Sequence, residues 1–340
     1  MIEEPELYLH PQGRRALSQK LEDFIGIKES KENQVILTTH SSEFISAGSN
    51  LSGITIVKKG DKKTLAEHYS FKDIDPKELQ TLLKYENSEM FFADKVIIVE
   101  GAERYLLPII ADKVARKKNS LDNDNISIVR AGGKGEIYKY VQILKKCKID
   151  YYVLADRDYF FQGMGNVLCE LIDLKEQDRQ EMLVFAAEIE KNSIRGYKRM
   201  KDVNDRVLRA ENSIDAKRLC DCLEELSCDQ NSENVTKILE VWEYLKPKVR
   251  KKDVENYMKD NDLYDKYLDY RNKLSENNVW ILEKGELEDY LTKEGQHLPG
   301  GKEGRIINIM RRLDEKNSVD ISVFIEANEF EEFLKKVFYG

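Results

Sequence analysis

Three acidic residues that closely follow apolar segments are the strongest candidates for chemistry in this sequence. Glu100 follows the β-branched run 96–99, and Asp156 and Asp158 follow the apolar segment Tyr152–Leu154. Open α/β folds place their sites at the carboxyl ends of the strands, and in an extended segment residues two apart point to the same side. Carboxylates that converge at one edge repel each other unless cations separate them. The sequence therefore predicts a divalent-metal site built from these side chains.

The segments around these acids alternate between strand and helix patterns. Apolar runs predict strands at 95–99, 126–130 and 151–155, and helical spacing predicts helices at about 103–117 and 135–147. Strands that alternate with helices of ~10–15 residues indicate parallel βαβ units. We therefore expect an α/β fold in which a parallel sheet is flanked by helices and the three acids share one edge.

The remaining chain differs in character. Residues 170–275 have apolar residues at helical spacing, little glycine and dense charge, which predicts an inserted helical subdomain. A strand at 278–282 follows the insertion, and a strand at 34–39 and a hairpin of 54–58 with 65–69 precede the sheet. The expected organisation is an amino-terminal segment 1–75, a connecting helix 76–93, the first part of the sheet domain 94–169, the insertion 170–275, and the completion of the sheet domain with carboxyl-terminal helices 276–340.

Composition limits the classes of protein. The formal net charge is −8 and 35% of the residues are charged, which argues against non-specific coating of DNA but leaves room for a local basic groove. The five cysteines lack the spacing of a disulfide framework and fit a reducing cytoplasm. No apolar run approaches the ~18 residues of a membrane span. We expect a cytoplasmic protein with no membrane partner.

Two carboxylates near the start of the chain and one histidine form a second candidate site. Glu3 and Glu4 are adjacent, and His40 follows the predicted strand 34–39. This pair of segments resembles the Walker B and switch-histidine regions of ABC-type ATPases. By that resemblance Glu3 would help hold magnesium, Glu4 would polarise the attacking water and His40 would contact the γ-phosphate.

The phosphate-binding loop of an ATPase is missing from this sequence. Nothing matches the pattern G-x-x-x-x-G-K-[ST], and the glycine-rich turn 131–135 has the wrong spacing. Without the backbone N–H groups of such a loop, the chain alone should not bind ATP tightly. We therefore expect the carboxyl-terminal part of a longer ATPase lobe, in which ATP is a cofactor only if the missing amino-terminal part is supplied.

A Glu-Gly strand end at 100–101 and an Asp-x-Asp at 156–158 resemble the Toprim domain, which primases, topoisomerases and a group of nucleases share. With the ATPase segment and the helical insertion, the chain is similar to the OLD (overcoming lysogenization defect) family of ATPase-linked endonucleases, which includes Gabija-type nucleases of phage defence. The resemblance implies a Toprim-type sheet and an endonuclease that cuts DNA with two Mg²⁺ or Mn²⁺ ions. It also implies a homodimer, with the missing ATPase part or a defence protein as further partners.

The resemblance assigns roles to individual residues. Glu100 matches the first Toprim glutamate, a metal ligand or general base, and Asp156 and Asp158 match the metal-binding pair. Glu286 falls where the family has a further acidic ligand, and Glu288 is the neighbour that would substitute for it. The two aspartates would hold one ion, while Glu100 and Glu286 would hold the other.

Two further residues carry specific expectations. Lys302 matches a basic residue that stabilises charge on the reacting phosphate, so it is expected to be catalytic beside Glu100. Glu103 departs from the family pattern Glu-Gly-x-x-Glu, because it follows Glu100 by three residues, one short. One residue fewer at a helix start rotates the rest of the helix by about 100°. Glu103 is therefore a metal ligand only if the helix begins one residue earlier.

Two other classes of function stay open. A topoisomerase would need a tyrosine nucleophile from a separate domain, and the seventeen tyrosines leave that open. A primase would bring a zinc module or a helicase-contacting region, and neither is apparent. The second class is an assembly module whose metal site has decayed, which the short spacing from Glu100 to Glu103 keeps open.

Overall fold

The computed structural model describes two compact units. One unit comprises Met1–Asp156 with Asn278–Gly340, and the other comprises Arg157–Asn277. The residues that the structure describes are 1–26, 35–46, 53–59, 63–75, 78–79, 82–83, 85–162, 172–193, 221–225, 228, 233–236, 254–315 and 320–340.

The described strands form three separate sheets. The strands are β1 (Ile2–Glu3), β2 (Leu37–Thr38), β3 (Gly53–Lys59), β4 (Thr64–Ser70), β5 (Lys95–Val99), β6 (Ile126–Arg130), β7 (Asp150–Ala155) and β8 (Val279–Ile281). β1 and β2 pair in parallel, β3 and β4 form the predicted hairpin, and the four-stranded parallel sheet has the order β6-β5-β7-β8. The predicted α/β fold with a helix-flanked parallel sheet is confirmed.

Helices account for most of the remaining described chain. The α-helices are Pro11–Gly26, Ser42–Ser46, Tyr85–Ser88, Glu103–Ala115, Ser120–Asn123, Ile137–Lys146, Arg157–Gln162, Glu176–Ser193, Tyr264–Glu276, Lys293–Gln296, Lys302–Glu315 and Asn328–Tyr339, with further helical residues at 221–225, 233–236 and 254–260. Within 157–277 the described residues form helices and no strand. None of the described helices combines the length and the apolar character needed to cross a bilayer. The predicted boundaries of the domains stay predictions.

Helices cover both faces of the parallel sheet at the inner strand β5, which is apolar on both sides. All four residues of the run 96–99 in β5 are fully buried. The helices Glu103–Ala115 and Asn328–Tyr339 share one hydrophobic core with alternate residues of β5, and the helix Ile137–Lys146 contacts β5 and β7. A strand covered on both faces must be apolar at every position, which is the pattern read from the sequence.

The register of the sheet brings two strand ends to the same level. Val99, the last residue of β5, pairs with Leu154 of β7. Glu100 therefore lies one residue beyond this pair and Asp156 lies two residues beyond it. Because the strands are parallel, both acids leave the sheet at its carboxyl edge.

The predicted connecting helix over 76–93 is interrupted in the residues that the structure describes. Leu83 lies in a turn, and the segment ends as the 3₁₀-helix Glu89–Phe92. Met90 and Phe91 are both buried there. Burial of these neighbouring apolar residues outweighs the general helical preference of the segment, and short 3₁₀ turns are common at such ends.

Asn87 closes the outer edge of β6. Its side-chain amide donates to the carbonyl oxygen of Arg130 at 3.1 Å and accepts from the Arg130 backbone N–H at 3.3 Å, so it imitates a neighbouring strand. The same amide donates to the Tyr140 hydroxyl at 2.7 Å, which in turn donates to the carbonyl oxygen of Leu82 at 3.1 Å. Asn87 is 6% exposed, so water has little access to replace these bonds.

Substitution of Asn87 by alanine should destabilise the protein. We expect Asn87→Ala to lower the free energy of unfolding by about 1–3 kcal/mol, because partly buried backbone groups of Arg130 lose a hydrogen-bond partner. Urea denaturation measures the change. Asn123→Ala is the matched control, since the bonds of the Asn123 amide are exposed and water can replace them. Equal losses in both variants would contradict the role of Asn87.

Candidate metal centre

Glu100, Asp156 and Asp158 converge at the carboxyl edge of the parallel sheet. One carboxylate oxygen from each residue lies within 4.8 Å of the other two. Asp156 is 4% exposed, and the other two are half-buried. Carboxylates this close repel each other in a partly buried position, and a bound cation removes that repulsion. Their oxygen atoms are hard donors of the kind that Mg²⁺ and Mn²⁺ take, so the residues present fit such an ion.

Asp158 reaches the cluster from a helix. The sequence-based prediction of an extended Asp-x-Asp segment is wrong, because the helix Arg157–Gln162 begins directly after Asp156. Tyr159 and Phe160 are 0% and 2% exposed. An extended segment would point these neighbours to opposite sides, whereas a helical turn buries both.

Lys302 places a positive charge among the acids of this edge. It begins the helix Lys302–Glu315. The distances from its Nζ to carboxylate oxygens are 3.3 Å to Asp156, 3.3 Å to Glu288, 3.7 Å to Glu103 and 3.9 Å to Glu286. Burial lowers the pKa of Lys302, but the attraction of Asp156, Glu103 and Glu288 outweighs it and holds that pKa above its ordinary value. The ammonium group is therefore charged at neutral pH.

Glu103 faces Lys302 from the first turn of the helix Glu103–Ala115. Its side chain is 2% exposed, and its Oε2 accepts a hydrogen bond from the Gly101 backbone N–H at 2.8 Å. Glu103 is not one of the three residues whose oxygens converge as possible metal ligands. A carboxylate in the first turn satisfies a backbone N–H at a helix start. The shortened spacing thus leaves Glu103 capping the turn while its Oε1 faces Lys302.

Glu286 and Glu288 approach Lys302 from the turn after β8. Glu286 and Asp289 form a capping box, in which each carboxylate accepts a hydrogen bond from the other residue's backbone N–H. Glu288 lies nearer to Lys302 than Glu286 does. The structure therefore brings both predicted acids to the lysine, with the predicted substitute closer than the first choice.

The amino-terminal candidates lie on the separate sheet of β1 and β2. Glu3 ends β1 and is paired with Thr38. His40 Nε2 lies 3.5 Å from Glu4 Oε1. Glu4 has a φ of +40°, a left-handed backbone conformation that is costly for a residue with a side chain. The ATPase roles predicted for Glu3, Glu4 and His40 stay predictions.

Glu6 fixes the segment that carries His40, and no sequence pattern pointed to it. Its Oε1 accepts hydrogen bonds from the Thr39 hydroxyl at 2.9 Å and from the His40 backbone N–H at 2.7 Å. Burial raises the pKa of Glu6, but hydrogen bonds from the backbone N–H groups of His40 and of Glu6 itself and from the Thr39 hydroxyl, together with the charge of His40, outweigh it and hold the pKa below its ordinary value. Glu6 therefore stays ionised and joins the turn after β1 to the turn after β2.

The four-stranded parallel sheet with acids at its carboxyl edge is the arrangement that the Toprim-like motifs predicted. Residues 91–158 match the family model described as overcoming lysogenization defect protein-like, TOPRIM domain. Residues 1–45 match the AAA ATPase domain. The resemblance to the OLD family that the motifs predicted is confirmed by these matches.

Three curated relatives carry nuclease names. The chain is 32% identical to the Old nuclease of Escherichia phage P2 over 174 residues, which cover 49% of this chain and 28% of that protein. It is 28% identical over 186 residues to endonuclease GajA of Bacillus cereus, covering 46% of this chain and 26% of the relative. The OLD nuclease of Thermus scotoductus is 27% identical over 173 residues, which cover 46% of this chain and 30% of it. The matched segments span less than a third of each relative.

Solved structures of OLD carboxyl-terminal regions are similar in part. The region from Xanthomonas campestris pv. campestris has 22% identity and a TM-score of 0.24, covering 53% of this chain and 99% of that chain. The region from Burkholderia pseudomallei has 20% identity and a TM-score of 0.22, covering 49% and 88%. At these TM-scores the solved structures carry no argument. The similarity to the Toprim domain rests on the family model and on the parallel sheet.

A divalent cation should stabilise the protein through Asp156. A ligand that binds only the folded state adds roughly 2.7 kcal/mol at a concentration 100 times its Kd. We expect Mn²⁺ to raise the thermal unfolding midpoint of the wild type and to leave that of Asp156→Asn almost unchanged. Asp150→Asn, at the exposed start of the same strand, should respond like the wild type. A full Mn²⁺ response in Asp156→Asn would contradict the site.

Proposed function

We propose that this chain carries the metal-dependent nuclease site of an OLD-like protein and hydrolyses phosphodiester bonds in DNA. The observation that carries the proposal is the convergence of oxygens from Glu100, Asp156 and Asp158 within 4.8 Å of one another. These residues lie in the segment that matches the OLD-like Toprim model. The nuclease names of the relatives support the same activity, and Mg²⁺ or Mn²⁺ is the proposed ion.

The residues of the site have distinct roles in this proposal. Glu100, Asp156 and Asp158 would hold a divalent cation, which would supply charge neutralisation at the phosphate and a more acidic water. Glu100 is half-buried at the strand end, where it accepts the proton of the attacking water. Lys302 is held at the site by Asp156 and supplies a point charge that stabilises the anionic transition state.

Two ions are part of the proposal. Glu103, Glu286 and Glu288 form, with Asp156, a group of carboxylates around the ammonium of Lys302. Lys302 exchanges some of these partners for phosphate oxygens when DNA enters. The carboxylates that it leaves would then be available as oxygen donors to hold a second cation, since hard cations and an ammonium compete for the same ligands.

The wider assignments rest on the resemblance. The match of residues 1–45 to an AAA ATPase domain supports the proposal that Glu3, Glu4 and His40 belong to an ATPase half-site. ATP would act there only with the part of an ATPase that supplies the phosphate-binding loop. A homodimer, an additional protein partner, a cytoplasmic location and a role in phage defence stay predictions.

Metal-dependent cleavage of plasmid DNA tests the proposed function. We expect supercoiled plasmid to be nicked or linearised with Mg²⁺ or Mn²⁺ and to stay intact with EDTA. Removal of a residue that only supports a metal ligand typically lowers activity by about 10–100-fold. Asp156→Ala removes a proposed ligand itself, so we expect a larger loss of activity. Asp150→Ala is the matched control and should keep wild-type activity.

Other outcomes of this assay have definite meanings. Relaxation without lasting breaks would indicate a topoisomerase. No cleavage with any metal, or full activity in Asp156→Ala, would contradict a nuclease and favour an assembly module. Stimulation of this chain alone by ATP would contradict the proposal that ATP needs a separately supplied loop.

Lys302 should act on the chemical step more than on metal binding. We expect Lys302→Met to lower kcat by about 10²–10³-fold, the loss typical of removing one group that stabilises transition-state charge. Its affinity for Mn²⁺ should be retained or increased, because a competing positive charge leaves the acids.

The control for this prediction is Lys284→Met. Lys284 is 45% exposed and pairs with Glu326. Its loss should leave kcat unchanged. Wild-type kcat in Lys302→Met, or an equal loss in Lys284→Met, would contradict the role of Lys302.

A further inference from the structure

Arg157, the residue between the two aspartates, is a buried charge with a specific partner. Its side chain is 5% exposed, and Nη1 donates to Glu255 Oε2 at 3.0 Å. The Glu255 side chain is 13% exposed, and its other oxygen accepts from Lys259 Nζ at 2.7 Å. A buried ion needs a partner of opposite charge, and Glu255 supplies one to Arg157.

The helix that carries Asp158 is too short to be stable alone. Arg157–Gln162 has six residues, far below the ~12–15 that an isolated helix needs in water. Its aromatic residues hold it from one side: Phe160 and Phe161 lie 5.2 Å and 5.8 Å, between ring centroids, from Tyr267. The ion pair with Glu255 holds its first residue.

We propose that the Arg157–Glu255 ion pair positions the Asp-x-Asp segment for metal binding. The inference rests on the proposed function, because it concerns the same metal centre. Arg157 and Glu255 are positioning residues, since neither belongs to the converging acids. The negative charge of Glu255, which lies in the helical segment 254–260, thus acts on the metal centre through the backbone of Arg157.

The covalent geometry gives the reason for this coupling. Arg157 is bonded through its backbone to Asp156 on one side and Asp158 on the other. Metal–ligand distances tolerate about ±0.2 Å, so a small rotation of residue 157 displaces ligand oxygens enough to weaken the site. Partners that orient metal ligands without touching the ion typically contribute 10–100-fold to metal affinity.

The first test is the affinity of the full chain for Mn²⁺, measured by titration calorimetry without DNA. We expect Glu255→Gln to weaken Mn²⁺ binding by about 10-fold or more, because the neutral amide no longer holds the guanidinium. Asp178→Asn is the matched control, since it breaks the ion pair of Asp178 with Lys273, 3.0 Å long, in the same compact unit. It should bind Mn²⁺ like the wild type.

A double variant separates positioning from stability. Replacement of a buried ion pair by apolar residues of similar volume is often neutral or stabilising. Arg157→Met with Glu255→Leu should therefore fold with an unfolding midpoint at or above that of the wild type. Its Mn²⁺ affinity should still fall by about 10-fold, which a purely structural role would not cause.

The possible outcomes distinguish this inference from the proposed function. Wild-type Mn²⁺ affinity in the folded double variant, or in Glu255→Gln, would overturn the positioning role and leave the nuclease proposal intact. An equal loss of Mn²⁺ affinity in Asp178→Asn would overturn the positioning role as well, since loss of an unrelated ion pair would then weaken Mn²⁺ binding just as much. Absence of Mn²⁺ binding to the wild type would overturn both.

Discussion

Repulsion between carboxylates gathered at one edge of a parallel sheet is the constraint on which the rest of this structure depends. Six acids take part, three through their converging oxygens and the others through Lys302: Glu100, Glu103, Asp156, Asp158, Glu286 and Glu288. Lys302 offsets part of this negative charge and is held there by it. Carboxylates are hard oxygen donors, and a cluster of such donors attracts divalent cations.

The fold assembles these charges from distant parts of the chain. The parallel pairing of Val99 with Leu154 sets the first two ligands at one level, and the short helix after β7 adds the third. The carboxyl-terminal segment returns to the same sheet through β8 and brings Lys302 to 3.3 Å from Asp156, 146 residues earlier in the chain. Catalytic chemistry of the proposed kind requires such rigid placement, because ligands must hold their geometry before substrate arrives.

Part of the fold and of the candidate site could be predicted from the sequence, and part could not. The strands of the central sheet were predicted, because β-branched runs buried on both faces leave an unbroken apolar signal. Glu100 and the two aspartates followed from their places at strand ends. Lys302 came only from the family resemblance, since nothing local marks a lysine at a helix start. Asn87 and Glu255 act through partners far away in sequence, and such pairings leave no local pattern. The early helix start at Arg157 was missed because burial of its aromatic residues decided it.

Anomalous X-ray scattering from crystals of the protein grown with Mn²⁺ tests the proposed metal centre most directly. We predict a strong manganese peak within coordination distance of Glu100, Asp156 and Asp158, with Lys302 beside it. A well-ordered site without manganese, or a peak only at other surface acids, would contradict the proposed centre. The acidic edge would then be a structural feature of the sheet rather than a hydrolytic centre.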